Sequence, residues 1–124
     1  MQIVDTNFIL RYLLEDDVKQ YSEAETIFLN ENEIFISGEI IAEIIYVMNG
    51  VYNITKNEIQ KSVLSLIKNS NIIMYDKDVI EFAIQVYTET NLDYPDCLLI
   101  SFRKLRKYKI QTFDKQLKKK SELY

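Results

Sequence analysis

Apolar residues recur in two rhythms along this chain, and the switches between them mark out its elements. A short apolar run at residues 2–5 reads as a first strand ending in Asp5. From Phe8 to Leu14 the spacing turns helical, with Phe8, Ile9, Tyr12 and Leu13 on one face. Asp16 and Asp17 break it as solvated loop or capping residues. A second helix is predicted over 19–30, with Ala24, Ile27 and Phe28 inward, and Glu33 to Ser37 reads as a second strand. Ser37 suits the N-cap of a third helix, with Glu39 in its first turn favourable to the helix dipole. Its apolar face is predicted to hold Ile40, Ile44, Val47 and Val51, widened by Ile41 and Met48, and Asn49-Gly50 is its stop signal.

Thr55 with Glu58 makes a capping box for a fourth helix to about residue 69, burying Ile59, Val63, Leu66 and Ile67. Residues 71–75 form a third strand. Asp76 and Asp78 are assigned as caps of a helix through 89 that turns Ile80, Ala83, Ile84 and Tyr87 inward. Pro95 suits the first turn of a further helix, whose expected core stripe is Leu98, Leu99, Phe102 and Leu105 beside a small buried Cys97. Residues 109–114 read as a last strand ending in Asp114, and a basic helix or tail follows. Strands separated by helices cannot pair as tight hairpins, so a parallel sheet covered on both faces is expected.

Length and composition fit this plan. The 124 residues suit one domain over 1–124, 48% hydrophobic residues can build a core, and two glycines with one proline argue against disorder. No apolar run approaches a membrane span, and no signal peptide is evident, so a cytoplasmic protein is expected. Cys97 is the only cysteine, and no intrachain disulfide can form. The absence of His excludes His-dependent triads and His-ligated zinc, leaving oxygen ligands suited to Mg²⁺ or Mn²⁺.

The net charge of −4 conceals a split. Residues 103–124 carry nine basic residues against Asp114 and Glu122, a net of +7, whereas the first 102 residues carry −11. Such asymmetry marks either a polyanion-binding surface or a solvated helix face and polar tail.

Three acids fall where open α/β sheets bind ligands: Asp5 and Asp114 at predicted strand ends, and Asp96 at a helix start. Each also suits capping. Glu43 lies near the edge of an apolar helix face, where it can pair with a base, reach solvent or bind a metal. Four gathered carboxylates repel one another and raise each other's pKa; a divalent cation removes that penalty and can activate water for phosphodiester cleavage.

At these residues the chain resembles a known family. Ile3-Val4-Asp5-Thr6-Asn7 through Arg11 is similar to the opening motif of PIN-domain ribonucleases, especially VapC-type toxins of toxin–antitoxin pairs. Ile41-Ala42-Glu43-Ile44 resembles their second acidic motif, Tyr94-Pro95-Asp96-Cys97 the third and Thr112-Phe113-Asp114-Lys115 the fourth. The resemblance implies a three-layer α/β/α sandwich with a central, mostly parallel sheet of four to five strands. It assigns Asp5, Glu43, Asp96 and Asp114 as the catalytic and metal-binding acids, for Mg²⁺ or Mn²⁺, with Thr6, Asn7 and Thr112 orienting them. Asp93 is placed to share or replace the role of Asp96. RNA would be the substrate, gripped by Arg11, Arg103, Lys107 and Lys115; a cognate antitoxin would hold the enzyme inactive, and a homodimer is expected. The chain departs from the family where Lys107-Tyr108-Lys109 replaces a glycine often found before the last strand.

The alternatives are an RNA-processing PIN nuclease that is not a toxin, a catalytically inert PIN-like interaction module, and a phosphotransfer domain. The last is disfavoured: a dehalogenase-like phosphatase needs Asp where Asn7 stands, and a receiver needs paired acids after strand one, although Asp76 roughly suits its phosphoacceptor.

Overall fold

In the computed structural model, which describes residues 1–30 and 32–124, β1 (Gln2–Ile3), β2 (Ile34–Phe35) and β3 (Ile72–Ile73) lie in the order β1-β2-β3, all parallel. Gln2 stands opposite Ile34, and Ile34 opposite Ile72. The ladder extends past the strand ends, with Gln2 N–H donating to the Glu33 carbonyl at 2.9 Å and Ile36 N–H to the Ile73 carbonyl at 3.0 Å.

Two helices make each crossover: α1 (Thr6–Leu14) and α2 (Val18–Leu29), then α3 (Gly38–Gly50) and α4 (Lys56–Ile67). Local chemistry starts them. Asp5 accepts from Phe8 N–H at 2.8 Å, Asp17 from Gln20 at 2.9 Å, and Ser37 and Thr55 from Ile40 and Glu58 at 3.3 Å. Each such cap is worth about 1 kcal/mol. Phe8 and Tyr12 of α1 stack on Phe28 of α2, and α1 also packs on α3. Ile9, Ile34, Ile41, Ile44, Ile59 and Val63 are fully buried.

The chain divides into two compact units, Met1–Tyr75 and Asp76–Tyr124. The second is helical: α5 (Lys77–Glu89), α6 (Tyr94–Arg106) and α7 (Lys115–Ser121). Here α5 packs on α6, with the Tyr87 and Tyr94 rings edge to face at 6.1 Å. The buried Ser101 hydroxyl donates to the Val79 carbonyl at 2.6 Å.

Several sequence expectations are corrected. Among the described residues there are three strands, not four or five, and residues 109–114 form none. There the Thr112 side chain takes the amide of Asp114, and the Asp114 side chain takes those of Gln116 and Leu117, which starts a helix at the end of the expected strand. The buried face of α6 is Tyr94, Cys97, Ile100 and Ser101, whereas Leu99 and Leu105 are exposed. In α3 the buried set is Ile41, Ile44, Ile45 and Met48, and Val51 is exposed. The helix does end at Gly50, as the Asn49-Gly50 signal implies, and the left-handed residue in the following turn is Asn53, at φ 54°. Asp76 is the N-cap of α5 as expected, though without a side-chain cap bond, and both Asp76 and Asp78 pair with Arg106, at 3.0 and 2.8 Å. Among the described residues no helix is long and apolar enough to cross a membrane.

Candidate active site

In the first unit, β1 delivers Asp5 to the carboxyl edge of the sheet, where it becomes the N-cap of α1. Capping and ligation are compatible, since Oδ1 takes the Phe8 amide and the carboxylate is exposed. Strand β2 runs parallel and hands over to Ser37 and α3, so α3 leaves from the same edge. Glu43, in the second turn of α3, is exposed and accepts a 2.9 Å hydrogen bond from the Thr6 hydroxyl. That bond ties the Glu43 carboxylate to the residue directly after Asp5. Among the described residues no ion pair to Glu43 is formed, and its carboxylate is exposed. Asn7 is exposed on the first turn of α1.

Arg11 donates to Asp16 at 2.7 Å and to the Tyr52 hydroxyl at 3.0 Å. A pocket of about 830 Å³ is lined by Gln2, Ile3, Val4, Asp5, Phe8, Ile27 and Ile40.

In the second unit, Asp93 is the N-cap of α6 but caps no amide with its side chain. Pro95 follows in the first turn, and Asp96 sits there half-buried. The Asp96 carboxyl is pushed above the usual carboxylate range, first by burial and then by the charges of Asp114 and Asp93. Asp114 caps α7: its Oδ1 accepts from Gln116 and Leu117 at 2.9 and 3.1 Å, and its own N–H donates to the Thr112 hydroxyl at 3.0 Å. Thr112 and Asp114 therefore brace each other.

What brings Asp114 to Asp96 was not visible in the sequence. Gln116 donates to Asn91 at 3.2 Å, just ahead of α6, and Arg103 donates to the Ser121 carbonyl at 3.0 Å. Leu117 is buried between these two ties. Arg103 thus works as a clamp on α7, while Lys107 and Lys115 are exposed. No periodicity or motif announces Asn91, Gln116 or Ser121, because they matter only through contacts between elements.

The sequence-predicted acids are found as two groups: Asp5 and Glu43 in the first unit, and Asp93, Asp96 and Asp114 in the second. Among the described residues no three carboxylates or thiols already stand in metal-holding geometry. The donor chemistry fits a hard cation all the same. Every candidate is an oxygen donor, the chain has no His, Cys97 is fully buried, and the Asp96 carboxyl carries the like-charge strain that a divalent ion relieves. Set against families of known proteins, the chain matches the PIN domain over residues 3–123. Comparison with curated proteins and with solved structures gives no match.

Proposed function

This chain belongs to the PIN-domain family, whose members are generally nucleases using divalent metals, and from that premise we propose that it is a metal-dependent endoribonuclease. The observation that carries this reading is the extent of the match: residues 3–123 include Asp5, Glu43, Asp96 and Asp114. We assign these four as the acids that hold Mg²⁺ or Mn²⁺, with Asp93 as an auxiliary of Asp96. A bound divalent ion supplies a water of lowered pKa and positive charge for the phosphoryl oxygens. The chain's own residues prepare for it. Thr6 aims the Glu43 carboxylate, and the paired amides of Gln116 and Leu117 hold one Asp114 oxygen. Burial, then the charges of Asp114 and Asp93, hold the Asp96 carboxyl above its ordinary range, a cost that a divalent cation would offset.

The same reading makes the protein the toxin of a toxin–antitoxin pair, acting as a homodimer in the cytoplasm and held inactive by an antitoxin that covers the acids. Its support is the likeness of the four acidic motifs to those of VapC-type toxins.

The test is RNA incubation with Mn²⁺, with and without EDTA, for the wild type and for Asp5→Asn and Asp96→Asn. Cleavage that needs the metal and is lost in both folded variants supports the reading. Wild-type cleavage by both variants removes these acids from catalysis, and no cleavage by the wild type under any metal leaves an inert interaction module.

A further inference from the structure

The surface of the second unit carries an aromatic ring that packs on no other ring among the described residues. Phe113 has a relative exposure of 103%, the highest of any large apolar residue described. Its neighbour in the same segment, Tyr108, is exposed too, but its ring stacks on Phe102 at 5.7 Å with the planes 1° apart. Phe113 has no ring partner among the described residues.

Its backbone is nevertheless held. Thr112 receives the Asp114 amide on one side, and on the other Asp114 receives the amides of Gln116 and Leu117. Phe113 therefore stands on a braced turn, directly before one of the acids assigned to the metal. A ring held in water on an ordered turn is pre-organised for a ligand.

Charge selects the ligand. Lys104, Lys107, Lys109, Lys115, Lys118 and Lys119 of the same segment are all exposed, while Arg103 and Arg106 are bound to Ser121 and to Asp76 and Asp78. A flat apolar face set among unclaimed lysines matches a single-stranded nucleic acid, whose bases stack on aromatics while its phosphates meet cations. A second copy of this chain would bring the same positive field to the contact.

We propose that Phe113 is a nucleobase-stacking residue that seats an unpaired RNA base beside Asp114. The proposal rests on the ribonuclease reading and adds to it a positioning residue for the substrate. Stacking tolerates any base, so Phe113 sets the placement of the strand and its single-strandedness, not the sequence.

The chain contains no tryptophan, so Phe113→Trp introduces a lone reporter. In an Asp96→Asn background, a short single-stranded oligoribonucleotide is expected to quench its emission, and an abasic oligomer of equal length is not. Phe113→Leu is expected to weaken oligomer binding by roughly 5- to 100-fold and to raise KM far more than it lowers kcat, with Phe113→Tyr restoring both. Oligomer binding seen by anisotropy without a change in the reporter's emission overturns the proposal. So does emission that follows protein concentration alone, which assigns the ring to contact between copies. Wild-type cleavage by Phe113→Leu overturns stacking and leaves the nuclease reading standing. Quenching by the oligomer in a protein whose wild type cuts no RNA supports stacking and removes the nuclease.

Discussion

The Thr6 hydroxyl donates to the Glu43 carboxylate at 2.9 Å, joining two residues 37 positions apart. One stands at the start of α1, directly after Asp5, and the other in the second turn of α3. Replacing Thr6 by Val keeps the shape and deletes the donor. Activity at limiting Mn²⁺ is expected to fall about ten- to a hundredfold, recovering in part at high metal. The bond is exposed, so stability changes by no more than about 1 kcal/mol. A Mn²⁺ titration of cleavage rate beside a thermal melt checks both halves.

Asp96 makes the metal-free protein sensitive to pH. Its folded pKa is raised by burial, Asp114 and Asp93, so the folded state holds a proton that the unfolded chain has released. Stability therefore declines as pH rises from the ordinary carboxylate range through the raised value. Asp96→Asn is expected to melt higher than wild type at neutral pH without metal, with the gain vanishing on acidification. Mn²⁺ should stabilise the wild type and leave the variant nearly unchanged. Melting curves from acid to neutral pH, with and without the ion, test this.

Arg106 works with the opposite sign. It holds the Asp78 carboxyl down at about 2, mainly through a direct hydrogen bond. A depressed acid contributes stability above its unfolded pKa, and that contribution fades as pH falls from about 3.8 to about 2. Arg106→Gln is expected to lose stability at neutral pH and to converge with wild type at the bottom of that window. Both partners lie at the surface, so added salt should also shrink the difference. Acid titrations followed by circular dichroism decide the point.

Lys107 ends α6 in the left-handed conformation, at φ 61°, with its N–H bonded to the Arg103 carbonyl. Glycine takes that conformation freely, whereas a residue with Cβ pays for it. Lys107→Gly is expected to stabilise the protein by about 1 kcal/mol, and Lys107→Val to destabilise it. Urea unfolding should show the midpoint moving and the slope constant.

Much of the fold was legible from short-range chemistry. Asp17, Ser37 and Thr55 cap helices as their types and positions imply, and the buried face of α4 is Ile59, Val63, Leu66 and Ile67 as the spacing requires. A cap or an apolar repeat is settled within one or two turns, so the chain states it directly. The parallel pairing of the strands also followed, because strands joined by helices cannot form tight hairpins; their order, β1-β2-β3, did not. Nor did the last strand: residues 109–114 end in an acid as residues 2–5 do, yet a strand exists only where a neighbouring ladder pairs with it, and Asp114 instead starts a helix by taking the amides of Gln116 and Leu117.

By itself the sequence determined which acids the protein owns, where along the chain they fall, and that their chemistry suits a hard cation. Only the tertiary structure decided that Glu43 answers to Thr6, that Asp96 shares its surroundings with Asp114 and Asp93, and that Arg106 is bound by two aspartates. The physical reason is range. Propensity and capping act over a few residues, whereas the charge state and aim of a carboxylate depend on whatever distant segments fold against it.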